Sequence, residues 1–187
     1  MQTLTEIAND IGMDKGTSSG EKHNYTAVYE KYFDPIKDNP IKLLEIGIWD
    51  NRFKGASPRL WHRYFTNLDF VGFEIQSASK ILEEELGCRV FIGDQFIADD
   101  LNKCVEEMGG DYDIIIDDGV HKFDAIRTSF EILYPTVKEG GYYIIEDIHA
   151  NDARQIEGWL KENGYEYASY CHTTRWSTGD KLIVLTK

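Results

Sequence analysis

Two apolar runs each end in a pair of acids followed by a histidine: Ile114-Ile115-Ile116-Asp117-Asp118-Gly119-Val120-His121 and Tyr142-Tyr143-Ile144-Ile145-Glu146-Asp147-Ile148-His149. Runs this rich in β-branched and aromatic side chains have no polar face to show water. That is the pattern of strands in a parallel sheet covered by helices on both sides. In open α/β sheets ligands bind beyond the carboxyl ends of the strands, so four carboxylates and two imidazoles are expected to meet on one rim. Crowded, partly desolvated carboxylates repel unless protonated or bridged by a cation. A hard divalent metal would satisfy them, and the arrangement points to an enzyme.

The strand pattern extends along the chain. Helices are expected over Thr3–Ile11 and Tyr25–Phe33, with a polar loop, Asp14–Gly20, between them. Pro35 and Pro40 close this section, a helical cap over residues 1–40. From residue 41 to 187 strands and helices alternate, the signature of a doubly wound sheet. Strands are expected at Lys42–Ile48, Phe70–Ile75, Arg89–Ile92, Tyr112–Asp117 and Tyr142–Glu146, the last opened by a Gly140-Gly141 turn. The helices between them are expected from Ser57-Pro58, with serine as the cap, from near Ser77 to Gly87, and over Ala98–Met108, Phe123–Leu133 and Asp152–Asn163. Tyr165–Cys171 and Lys181–Thr186 read as a closing antiparallel pair, because the Ser177–Asp180 link is too short for a crossover helix. Seven strands in one mostly parallel layer, ending in a hairpin, suggest the Rossmann-like class I methyltransferase architecture. A dehydrogenase is the rival.

Length and charge narrow the function. The 187 residues are expected to form one α/β domain. A formal net charge of −13 argues against nucleic acid, whose phosphates call for a basic patch. No stretch approaches the ~18 apolar residues of a membrane span. The opening Met-Gln-Thr-Leu-Thr-Glu lacks a charged-then-apolar leader pattern. Cys88, Cys104 and Cys171 are scattered without zinc spacing and read as reduced thiols. A soluble cytoplasmic protein is the expectation.

The first strand turns at Leu44-Glu45-Ile46-Gly47. A dinucleotide site would place three spaced glycines here for pyrophosphate, yet only Gly47 occupies a matching place. Glu45 fits instead the amino group and sulfonium of S-adenosylmethionine, although a lone acid before glycine also occurs at ordinary strand ends. Glu74, ending the next strand, can accept from both ribose hydroxyls of either ligand. Gly93-Asp94-Gln95 stands at the height of an adenine ring, or forms an Asx-type turn. On the acidic rim, alternation lets only one of Asp117 and Asp118 face the site. Asp118, Glu146 and Asp147 could offer three oxygens to magnesium or manganese; with two histidines nearby, zinc stays open. Gly119 permits a bend bringing His121 over the rim as general base. His149 has only proximity to recommend it.

At these residues the chain resembles a known family, the metal-dependent class I O-methyltransferases that methylate sugar hydroxyls of macrolides and rhamnosylated polyketides. The likeness also runs through Asp14-Lys15-Gly16-Thr17, His23-Asn24-Tyr25-Thr26 with Tyr29-Glu30, and Gly55–Trp61 with Tyr64-Phe65. It implies that Asp118, Glu146 and Asp147 hold magnesium and that His121 is the base. It implies contacts to adenosylmethionine from Glu45, Gly47, Ser57, Glu74, Asp94 and Gln95, and from Thr17 in the N-terminal loop. A small-molecule hydroxyl acceptor, a sugar above all, is the implied partner; a homo-oligomer is open, since small enzymes of this fold often pair. The chain departs from the family at Trp49–Phe53, bulkier than the usual glycine-rich loop, and at Val120, where serine is common. A catechol-type acceptor would use the same metal. A nicotinamide-dependent oxidoreductase and a non-catalytic relative of the same fold are the competing readings.

Overall fold

A computed structural model of the chain describes residues 2–18, 24–50, 52–173 and 178–187. Strands β1 (Pro40–Ile46), β2 (Asn67–Glu74), β3 (Arg89–Ile92), β4 (Tyr112–Asp117), β5 (Val137–Ile148), β6 (Ala168–Thr173) and β7 (Thr178–Thr186) make one sheet in the order β3-β2-β1-β4-β5-β7-β6. β1 to β5 pair in parallel, and β7 lies antiparallel between β5 and β6. The strand order reverses between β1 and β4, which opens a crevice at their carboxyl ends. This is the class I Rossmann-like methyltransferase fold with its antiparallel C-terminal hairpin.

Seven helices flank the sheet among the described residues: α1 (Leu4–Ile11), α2 (Thr26–Phe33), α3 (Ala56–Tyr64), α4 (Ile81–Leu86), α5 (Ala98–Met108), α6 (Phe123–Leu133) and α7 (Ala150–Glu162). Burial on both faces explains the apolar run Ile114–Ile116 of β4. Ile114 and Ile116 pack with α1–α4, whereas Ile115 packs with α5–α7, and all three are fully buried. Each contributes roughly 1.5–3 kcal/mol of burial free energy. The cap shares the first of these cores: Leu4, Ile7, Tyr25, Tyr29 and Phe33 pack against Leu43, Trp61 and Ile144. Thr3 and Glu6 form a capping box at the start of α1, and Gly12 ends it at φ 81°.

Several expected boundaries move. Ser57 does not cap α3; Gly55 does, at φ 81°, and Ser57 lies one residue inside the helix with its hydroxyl turned to the sheet. The helix expected from Ser77 begins as a 3-10 turn over Ser77–Lys80 before α4. β5 does not start after the glycine pair but runs through it from Val137, with an irregularity in its pairing to β4. β1 and β2 begin and end earlier than expected, β6 begins three residues later, and α7 begins at Ala150. Part of the Ser177–Asp180 link lies outside the described residues, as do His23 and Asn51 of the motifs quoted above. No helix of the described residues is long and apolar enough to cross a membrane.

Candidate active site

The site is built where β1 and β4 end side by side. Asp118 N–H donates to Ile46 C=O at 3.0 Å, and Gly47 N–H donates to Phe73 C=O at 2.9 Å. Gly47 sits at φ 82°, and a Cβ there would stand 2.1 Å from the Asp118 carbonyl oxygen. Glycine is therefore required by both conformation and contact. Above this junction lies a cavity of about 340 Å³. Its walls are the Met13–Lys15 loop, the turns after β1, β2 and β3, the Asp118–His121 segment and Asp147.

Alternation divides the acid pair of β4 as expected. Asp117 points inward, accepting from Gln95 Nε2 at 2.7 Å, from Ser129 Oγ at 2.5 Å and from Tyr143 O–H at 3.4 Å. It is an internal brace, and burial raises its pKa. Asp118 turns to the cavity, where burial and then Asp147 push its carboxyl up, against the pull of Lys15, to about 6. The β5 pair divides likewise: Glu146 is fully buried, and Asp147, at φ 51°, lines the cavity. His121, at φ 54°, is brought back over the rim, and its buried Nδ1 has no hydrogen-bond partner.

Two sets of ligand atoms result. Asp118, His121 and Asp147 each offer one, all within 4.8 Å of one another, on the cavity wall. Glu45, Asp118 and Glu146 do the same beneath it. Carboxylate oxygens dominate both sets and fit a magnesium- or manganese-like ion.

The expected cofactor residues fall into three groups. Gly47, Ser57, Glu74, Asp94 and Gln95 line the cavity. Glu74 accepts from the backbone N–H groups of Ile48, Trp49 and Gln76 at 2.9–3.0 Å, so it also folds the turn after β1. Gln95 spends its amide internally, donating to Asp117 and Ser129 and accepting from Val120 N–H at 3.1 Å. Asp94 accepts from Phe96 N–H at 2.9 Å in the Asx-type turn. Glu45 lies in the floor rather than on the wall. Ser57 Oγ at 2.8 Å and Trp61 Nε1 at 3.2 Å donate to its Oε2, while its buried Oε1 has no partner. Burial lifts this carboxyl to about 7 despite Lys15 nearby. Thr17 stands apart from the lining: it accepts from Asn9 Nδ2 at 2.9 Å and its N–H donates back to Asn9 at 2.7 Å. His149 caps α7 and bonds Asp180 at 2.7 Å, also outside the lining.

Three site residues come from the cap and had no role in the sequence reading. Lys15 Nζ donates to Asp118 at 2.6 Å and to Glu146. Tyr29 O–H donates to Glu146, and Tyr25 O–H to Asp147. The four-residue spacing of Tyr25 and Tyr29 already puts both rings on one helix face. A buried phenol needs a partner for its hydroxyl, and that requirement is the signal which could have found them.

No protein-family profile matches the chain. Curated relatives do. The chain is 30% identical over 176 residues to the 8-demethyl-8-alpha-L-rhamnosyl tetracenomycin-C 2'-O-methyltransferase of Streptomyces olivaceus, covering 86% of this chain and 46% of that one. It is 35% identical over 132 residues to the mycinamicin VI 2''-O-methyltransferase of Micromonospora griseorubida, covering 69% and 32% respectively. The chain thus spans under half the length of the curated relatives it matches. Among solved structures, the MycE methyltransferase in complex with Mg, SAH and mycinamycin VI superposes over 100% of this chain and 54% of its own, with a TM-score of 0.77 at 24% identity.

Proposed function

We infer that this chain, a class I methyltransferase by fold and a relative of the sugar O-methyltransferases by sequence, is an adenosylmethionine-dependent, magnesium-dependent O-methyltransferase. Manganese is the alternative ion. The acceptor is a hydroxyl of a sugar or of a glycosylated small molecule, as the relatives' names suggest. The convergence of Asp118, His121 and Asp147 on one cavity at the switch point carries the reading.

Asp118, Glu146 and Asp147 would hold the ion, with Asp118 and Asp147 facing the cavity. A bound divalent ion supplies Lewis-acid polarisation and fixed orientation of the acceptor oxygen, while adenosylmethionine supplies the methyl group. The donor would lie over Gly47, where absence of a side chain lets it approach the backbone. A carboxylate offers about four acceptor positions; Glu74 uses three on backbone amides and keeps the remainder for a ribose hydroxyl. Asp94 bounds the adenine end. His121 would take the acceptor proton as the new carbon–oxygen bond forms and the carbon–sulfur bond breaks, leaving adenosylhomocysteine. Holding both reactants in one cavity contributes much of the acceleration. Gln95 acts through Asp117 and Val120, keeping the Asp118–His121 turn in place. Thr17 is proposed as a cofactor contact only through the family likeness. A cytoplasmic location belongs to the same reading.

Methyl transfer from labelled adenosylmethionine to a panel of rhamnosylated and macrolide acceptors tests the reading. Product is expected with magnesium and not in EDTA or with Asp118→Ala. Undiminished transfer in either case contradicts it.

A further inference from the structure

The buried triangle of Glu45, Asp118 and Glu146 already contains a cation. Lys15 Nζ stands 2.6 Å from Asp118 Oδ2 and bonds Glu146 Oε2 as well, with only 3% of the residue exposed. Three clustered carboxylates, two of them bonded to one ammonium, balance its charge much as they would a metal ion's. Two of them, Asp118 and Glu146, are also the proposed ligands of the divalent ion. An ammonium and a divalent ion compete for those oxygens, because two cations a few ångströms apart in a partly buried site repel strongly. Lys15 comes from the loop between α1 and α2, and its residue lines the cavity. Its flexible four-carbon stem can therefore withdraw into that space while its backbone stays anchored, as Lys15 C=O accepts from Thr26 N–H at 3.3 Å.

We propose that Lys15 is a tethered cation that exchanges with the divalent ion. It holds the acids together in the cation-free protein and surrenders Asp118 and Glu146 when the ion enters. The exchange rests on the metal reading above, and it makes cation uptake the event that frees the Lys15 side chain into the cavity. Breaking a buried ion pair costs free energy, so each divalent ion bound is bound more weakly than the bare acids would bind it.

Amine acylation of the full chain, read on the Lys15 peptide by mass spectrometry, tests this directly. Exposed Lys103 serves as internal control. Saturating Mn²⁺, with occupancy followed by electron paramagnetic resonance, is expected to raise Lys15 labelling about tenfold while Lys103 is unchanged. Lys15→Met is expected to bind Mn²⁺ about tenfold more tightly than the unaltered chain. Bound Mn²⁺ with Lys15 still protected overturns the exchange and leaves the metal reading standing. Weaker Mn²⁺ binding by Lys15→Met overturns it too, showing a lysine that supports the ligands rather than competing for them. Absence of Mn²⁺ uptake by either protein overturns the exchange together with the metal reading.

Discussion

Adjacent acids at the end of β4 do different work, and substitution separates them. Asp117 is buried with three donors around it, so Asp117→Ala leaves Gln95, Ser129 and Tyr143 without their acceptor. A loss of about 3 kcal/mol or more is expected in urea unfolding. Asp118→Ala removes one of several crowded carboxylates and should cost far less stability, while abolishing cation binding. Glu45 gives a pH signature. Its folded pKa, about 7, is raised above the ordinary carboxylate value by burial. The folded state therefore binds this proton more tightly than the unfolded chain. The stabilisation is fully present below about pH 4.5 and is lost as pH rises through 7. In cation-free protein the loss is on the order of 3 kcal/mol, and Glu45→Gln should flatten the profile over that window. An unchanged slope in the variant assigns the effect elsewhere. Asp117 and Asp118 were legible in advance because strand alternation is a local rule. Lys15 was not: its partners lie 103 and 131 residues away, and a lysine in a polar loop carries no periodic mark. What the sequence did show was the unpaired charge it answers, four acids on one rim.

Elements were read best where both faces are buried. β3, α5, β4 and α6 match expectation residue for residue, because their apolar runs or amphipathic spacing end in unambiguous punctuation. Gly140-Gly141 looks like a turn in the sequence, whereas β5 carries the pair through a pairing irregularity next to β4. The start of α3 was misplaced because serine before proline is a common cap, while here the left-handed Gly55 makes the turn and frees Ser57 for Glu45. α2 has a second role beyond core packing, since its Tyr29, with Tyr25 just before it, hydrogen-bonds the β5 acids. Tyr29→Phe keeps the ring and strips the hydroxyl. A fall in stability of about 1–3 kcal/mol is expected, with no change in the dependence on urea concentration. A variant as stable as the parent would show that Glu146 does not need the phenol.

At the scale of the molecule, the N-terminal cap and the sheet make one site. The strand ends supply the carboxylates, and Lys15, Tyr25 and Tyr29 from the cap satisfy them. Fold class and the rim itself could be read from the chain because they follow from apolar periodicity and from where it stops. The closing of the rim by the cap could not, since it depends on packing between distant segments. The acceptor is set by loops whose side chains follow no general rule. The most direct measurement is calorimetric titration of the purified chain with Mn²⁺ and with adenosylhomocysteine, repeated on Asp118→Ala. Uptake of one cation and one nucleoside ligand by the parent, with cation uptake lost and nucleoside uptake retained in the variant, is the predicted result. Cation binding that persists without Asp118, or a parent chain that takes up neither ligand, would contradict it.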